Sequence, residues 1–266
     1  DVRQMLLISL TCIGDALLTT PVAKVLKDHY PDAKLTVLAG PTAHPLLAPH
    51  SLVDRAFVFE NRGRHSGVVG MLRLINMLRT TRYDLVVDLR NSAIPYFLRA
   101  NHIITAHKAH LENREARGRH AIDRHLDVLE SNGFVITCRS MQLTVPPHAT
   151  ESVNRMMEEL GQDPGGNIIG IYPGAGSPYK EYPPEKYARV LRTLAELSPD
   201  SRFAVVGGPA DVPAAAQVAA AFPERTADYS GKCNIIETAA LIKKCSVFIS
   251  NDSGPMHIAT ALEVPT

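Results

Sequence analysis

Three short clusters in this chain combine small residues with a charged side chain, as expected where backbone must come close to an anion. The first is Gly14–Asp15, just after the apolar run MLLISL. Gly14 suits a sharp turn from strand to helix. Asp15 either orients and deprotonates a hydroxyl as a general base or caps its own helix, and a helix N-terminus would favour its ionised form. The second is PGAGSPYKEYPPEKY, which follows an apolar strand. There the N–H groups of Gly174, Ala175, Gly176 and Ser177 can face an anion. Lys180 is close enough in sequence to reach the same anion; the alternative is a solvated lysine on a surface loop. The third cluster is Asp252, Ser253, Gly254, Pro255 and His257, after VFIS, where a helix N-terminus can cradle phosphate. Ser253 or Asp252 can cap that helix. Asp252 holds the turn, or accepts hydrogen bonds from ligand hydroxyls or from Lys180. His257 is either a ligand contact or a satisfied histidine of the first turn.

Two weaker signals sit after other strands. Gly207, Gly208 and Asp211, in VVGGPAD, occupy a place from which a wound fold contacts a ribose or another sugar. Asp88, after YDLVV, either points at the ligand or closes its own turn. The loop at Gly174 lacks the GKS or GKT ending of a Walker A sequence, and neither half carries GxGxxG, which argues against a plain NAD-binding dehydrogenase. The histidines between His102 and His125 form no HExxH or Cys/His cluster, so no metal is assigned. A Gly-x-Ser-x-Gly nucleophile elbow is absent.

Positioning these clusters requires alternating strands and helices. MLLISL, KLTVLAG, RAFVFE and YDLVVDL read as strands, the last so uniformly apolar that a parallel sheet must cover both its faces. Helices are expected over Asp15–Tyr30, around Ala43–Ala48 and over Val68–Arg79. Ala16, Leu17, Val22, Val25 and Leu26 make the inner face of the first, and Pro21 marks a kink or a shifted start. The segment from Asn91 to Arg119, rich in His, Arg and Asn, has weak periodicity and is expected to include a cleft-facing loop, followed by a helix over Ala121–Ser131. VPPHAT, from Val145 to Thr150, reads as a linker. Beyond it, helices are expected over 151–160, 184–197, 212–222 and 234–243, with strands at 168–172, 203–207 and 247–250. Composition agrees with two α/β domains, 1–147 and 148–266.

The chain has 266 residues, 45% apolar and 21% charged, with a formal net charge of +1. That balance gives no reason to expect nucleic-acid binding or a polybasic membrane anchor. No apolar run approaches the length of a membrane span and no secretory signal is visible. Cys12, Cys138, Cys233 and Cys245 lack metal spacing and read as reduced and cytosolic, with Cys12 a small buried residue. IATALEVPT is helix, turn and the approach to a strand, so continuation beyond Thr266 is expected.

These motifs together resemble the glycosyltransferase family that contains the lipopolysaccharide heptosyltransferases. The likeness rests on LLISLTCIGDALLTTPVAKVLKDHYPDAKLTVL, YDLVVDLR, IYPGAGSPYKEYPPEKYARV, VVGGPAD and NDSGPMHIATAL, and covers almost the whole chain. The resemblance implies an α/β GT-B fold: two Rossmann-like domains facing across a cleft, here with an incomplete C-terminal domain. It implies inverting, metal-independent sugar transfer from ADP-heptose or another nucleotide sugar, with no further cofactor. The N-terminal domain would receive a lipid-linked oligosaccharide acceptor and the C-terminal domain the donor. Asp15 matches the family's general base and Lys180 its phosphate-contacting lysine. Asp252, Ser253, Gly254, Pro255 and His257 match its donor loop, and Asp211 falls near its ribose-binding acid. A glycolipid acceptor implies work at the cytoplasmic face of the inner membrane, with the basic segment from Arg99 to Arg124 against headgroups or simply solvated. The chain departs from the family in having no tryptophan and in carrying Ser253 where threonine is common. Two other readings remain open: a GT-B epimerase acting without an acceptor, and a non-catalytic binding module.

Overall fold

The computed structural model describes residues 1–9, 12–106 and 119–266. It divides into two compact units, 1–144 and 145–266. The boundary falls three residues before the break expected at 147.

The first unit is built on a parallel sheet in the order β3-β2-β1-β4-β5. Its strands are β1 (Gln4–Ile8), β2 (Lys34–Ala39), β3 (Arg55–Val58), β4 (Tyr83–Asp88) and β5 (Ala100–Thr105). Leu6, Leu7 and Ile8 of β1 and Val86 and Val87 of β4 are fully buried, because helices cover both faces. On one face, Val22, Val25 and Leu26 of α2 (Thr20–His29) pack with Leu126 and Leu129 of α5 (Ala121–Glu130). On the other, Leu74 and Leu78 of α4 (Gly67–Leu78) pack with Phe59 and with Ile94 of a 3₁₀ turn, Ile94–Phe97.

The single helix expected over Asp15–Tyr30 is two: α1 (Ile13–Leu17) and α2. Pro21 falls in the first turn of α2, where its missing N–H costs nothing, so it marks a shifted start rather than a kink. Gly14 is the second residue of α1, not the turn before it. Cys12 is exposed at the N-cap of α1 rather than buried. Between β2 and β3 lies the short α3 (His44–Leu47). The weakly periodic segment from Asn91, in which no strand was expected, contains β5, an edge strand that leaves Asn101 and His102 in solvent; such an edge has little apolar periodicity to betray it.

The second unit repeats the winding with four parallel strands in the order β8-β7-β6-β9. They are β6 (Ile168–Tyr172), β7 (Arg202–Val205), β8 (Thr226–Asp228) and β9 (Cys245–Ser250). α6 (Pro147–Glu159) begins inside the expected linker, because prolines suit an N-cap and a first helical turn. α7 (Pro184–Leu197) and α8 (Val212–Ala219) cover one face through Tyr187, Leu191, Ala215 and Val218. α8 ends three residues before the expected Phe222. α6 packs on α9 (Ile235–Lys243), and α9 on α10 (Gly254–Ala261). Beyond α10 the chain turns back, and the Phe248 N–H donates to the Pro265 carbonyl at 2.8 Å.

Candidate functional site

In each unit the strand order reverses beside the first strand, between β1 and β4 and between β6 and β9. Loops leaving the carboxyl ends of two such strands diverge and open a crevice, where open α/β sheets bind ligands. In the second unit these loops are 173–183, after β6, and 251–253, after β9.

Asn251 joins them. It is 8% exposed, and its carboxamide makes four hydrogen bonds. Nδ2 donates to the carbonyls of Pro173 and Gly174 at 2.9 and 3.0 Å. Oδ1 accepts from the Tyr182 N–H at 3.1 Å and the Tyr187 hydroxyl at 3.0 Å. One side chain therefore ties the loop after β6 at both ends and docks it on α7. Only a primary amide supplies two donors and two acceptors in this geometry.

With that loop held, Lys180 Nζ meets Asp252 Oδ2 at 2.5 Å. Both are exposed, and the ammonium group holds the Asp252 carboxyl below the usual carboxylate range. Of the alternatives the sequence left for Asp252, contact with Lys180 is the one present. Ser253 holds the N-cap position of α10, but its hydroxyl donates to the Asn251 carbonyl instead of capping. Neither expected side-chain cap forms. The first N–H groups of α10 are therefore left for an outside acceptor, which suits an anion. Gly254 and Pro255 form the first turn, and His257 lies near enough to Asp252 to help lower its pKa.

Gly174, Ala175, Gly176 and Ser177 lead from β6 into the turn that carries Lys180. A methyl group on Gly174 would lie 2.2 Å from Asp211 Oδ1, whereas one on Gly176 would meet nothing. Gly174 is thus required by close packing, and Gly176 leaves the backbone open. Asp211 accepts from the Gly208 N–H at 2.8 Å and from the Tyr172 hydroxyl at 3.3 Å. Burial, with the Asp211 charge second, pushes that hydroxyl up to about 12. Asp211, Gly207 and Gly208 thus border the Gly174 loop at the end of β7. Tyr179, fully exposed beside Lys180, was missed in the sequence, where a tyrosine next to a proline gave no sign of its exposure.

In the first unit Asp15 is exposed, one residue before the buried Ala16. Its side chain does not cap α1. Asp88 is fully buried and closes its own turn, accepting from the N–H groups of Arg90 and Ser92 and from the Ser92 hydroxyl. Burial raises its pKa while these bonds oppose the rise. An open cavity of about 620 Å³ lies where β1, β2 and β3 end, lined by Cys12, Pro41, Thr42, Glu60, Asn61, Arg62 and Gly63. The 60–63 turn was not singled out in the sequence, because turn residues with mixed charge carry no motif. Among the described residues no three His, Cys, Asp or Glu side chains converge as metal ligands.

Known proteins share this layout. The family model described as Glycosyltransferase family 9 (heptosyltransferase) matches residues 71–266. Lipopolysaccharide heptosyltransferase 3 of Escherichia coli (strain K12) is 26% identical over 272 residues, 95% of this chain and 78% of the relative. The structure of a glycosyl transferase family 9 protein from Veillonella parvula DSM 2008 superposes with a TM-score of 0.87 at 23% identity, over 100% of this chain and 79% of that one. That of E. coli ADP-heptose lps heptosyltransferase II gives 0.77 at 22% identity, over 98% of this chain and 82% of that one.

Proposed function

The chain belongs to glycosyltransferase family 9, the heptosyltransferase family, and from that membership we propose that it transfers a heptose from an ADP-activated donor to a lipopolysaccharide inner-core acceptor, with inversion. It is a glycosyltransferase of GT-B fold. The choice of sugar and acceptor is supported by the relatives, whose names specify lipopolysaccharide and ADP-heptose. The observation that carries the donor reading is Lys180, set by Asp252 beside an open Gly-rich loop and the uncapped start of α10. The Lys180 cation and the free N–H groups at the start of α10 support binding of a diphosphate there.

The chemistry is a single displacement. The acceptor oxygen bonds to the anomeric carbon while the bond from that carbon to the diphosphate breaks. The acceptor proton passes to Asp15, and the electron pair leaves with ADP. Attack opposite the leaving group inverts the anomeric centre. Lys180 and the N–H groups at the start of α10 stabilise the charge growing on ADP, so the scheme needs no metal. The cavity beside Cys12 and Arg62 would receive the acceptor, whose lipid places the work at the cytoplasmic face of the inner membrane.

Calorimetry with ADP, UDP and GDP in chelator, paired with transfer assays, tests this. ADP should bind best. Asp15→Ala should keep that affinity while losing roughly 10²–10⁴-fold in transfer. Lys180→Ala should weaken ADP binding by about tenfold or more, the value of a charge-assisted contact. Transfer retained by Asp15→Ala would remove the base assignment, unchanged ADP affinity in Lys180→Ala would remove the phosphate role, and a preference for UDP or GDP would move the donor.

A further inference from the structure

Six of the twelve large apolar side chains exposed among the described residues fall between positions 68 and 103. Val68, Val69 and Leu72 lie on one side of the first turns of α4 and are 77, 72 and 53% exposed. Tyr96 and Phe97, in the 3₁₀ turn after β4, are 69 and 57% exposed. Both elements send inner residues, Leu74 and Ile94, into one core cluster. The gap between them is bridged. His65 stacks on Phe59, the Arg90 guanidinium lies 4.7 Å over the Phe59 ring, and Gly70 is pressed against the His65 backbone. The turn before α4, Phe59 and the loop after β4 that leads to Tyr96 and Phe97 are therefore packed together in the first unit.

The charge around them is mostly positive, with Glu60 the acid beside Arg64 and His65. From Asn61 to Tyr83 the chain has Arg62, Arg64, Arg73, Arg79 and Arg82 and no Asp or Glu; Leu89 to Arg99 adds Arg90 and Arg99, again without an acid. The chain as a whole is nearly neutral, so the charge is segregated. Among the described residues, none of the ion pairs involves Arg62, Arg64, Arg73 or Arg79. In the region from Arg99 to Arg124, by contrast, Arg119 is paired with Asp127, and residues 107–118 lie outside the described ones.

We infer that this surface, the start of α4 with the Tyr96–Phe97 turn and the arginines beside it, docks the protein on an anionic lipid bilayer. Exposed aliphatic and aromatic side chains enter the interface while arginines meet the headgroups, the combination that binds peripheral helices to membranes. A nucleic acid would use the arginines but leave the valines and Leu72 without a role. The turn at Asn61–Gly63 lines the cavity beside Cys12, so docking would bring that cavity to headgroup level, where a lipid-linked acceptor presents its sugars.

Vesicle co-sedimentation tests this on the full chain without substrate, so its result is independent of the transfer reaction. Vesicles of phosphatidylcholine and phosphatidylglycerol at roughly 70:30 should carry the protein down, pure phosphatidylcholine at least about tenfold less, and added salt should weaken the binding. The double variant Val69→Asp, Leu72→Asp should bind the anionic vesicles at least about tenfold more weakly, as should Arg64→Glu, Arg73→Glu, with circular dichroism unchanged. All four side chains are exposed, so the fold should tolerate both changes. Equal binding by the Val69/Leu72 variant would overturn the inference, as would failure of the wild type to sediment. A wild-type dimer that dissociates in the same variant would assign the patch to self-association instead.

Discussion

Asn251 shows how much one side chain can organise. The sequence placed it beside Asp252 but gave it no role, since no spacing announces a carboxamide with four partners from residues 64 to 78 positions away. Removing it orphans two carbonyls, an N–H and the buried Tyr187 hydroxyl. Asn251→Ala is therefore expected to destabilise the second unit by about 3 kcal/mol and to weaken ADP binding, because the Lys180 turn loses its anchor. Asn251→Asp should fare no better, as a carboxylate would face the Pro173 and Gly174 carbonyls. Chemical denaturation together with calorimetry reads both effects; a variant with wild-type stability and affinity would show that the loop holds itself. Gly174 teaches the same lesson: the motif suggested an exposed amide, whereas the packing makes it the only residue that fits against Asp211.

Strands and helices with a clear apolar period were readable in advance; segments held by scattered polar contacts were not. The stretch from Val135 to Thr144 forms no helix or strand, yet it is tied back across the first unit. Val135 bonds to His29, Thr137 to Asp28, Gln142 to Thr20 and His50, and Thr144 to Ser51. His50 is the buried member. Its Nδ1 accepts from the Leu52 N–H and its Nε2 faces the Gln142 carbonyl, so both bonds need the neutral ring with hydrogen on Nε2. Burial lowers its pKa from 6.5. The unfolded chain therefore takes up the proton first. The stability His50 contributes is complete above 6.5 and is lost as pH falls through its folded value. Thermal melts from pH 8 to 5 should fall more steeply for the wild type than for His50→Leu. Parallel curves would remove His50 as the source of the slope.

The two units have separate cores, one around β1 and β4 and one around β6 and β7. The residues proposed to hold the donor all belong to the second unit, and Asp15 to the first. Binding energy delivered to one unit should appear in that unit's exchange rates. At about 100 times its Kd, ADP stabilises the form that binds it by about 2.7 kcal/mol. Hydrogen exchange should accordingly slow most at β6, β9 and the start of α10, while amides of β1 and β2 change little. Equal slowing in both units would show that ADP engages both.

The apolar runs and their turns by themselves determined two rounds of parallel α/β winding, the starts of most elements, and the three clusters at strand ends. They could do so because burial repeats with the period of the element, and small residues mark where backbone must come close. Tertiary structure alone decided that Lys180 meets Asp252 across 72 positions, that Asp88 serves its own turn, and that Val68, Val69 and Leu72 stand in solvent. These depend on strand order and on which loops share an end of the sheet. Local periodicity carries no information about either, since a parallel strand reads the same whichever neighbour it pairs with.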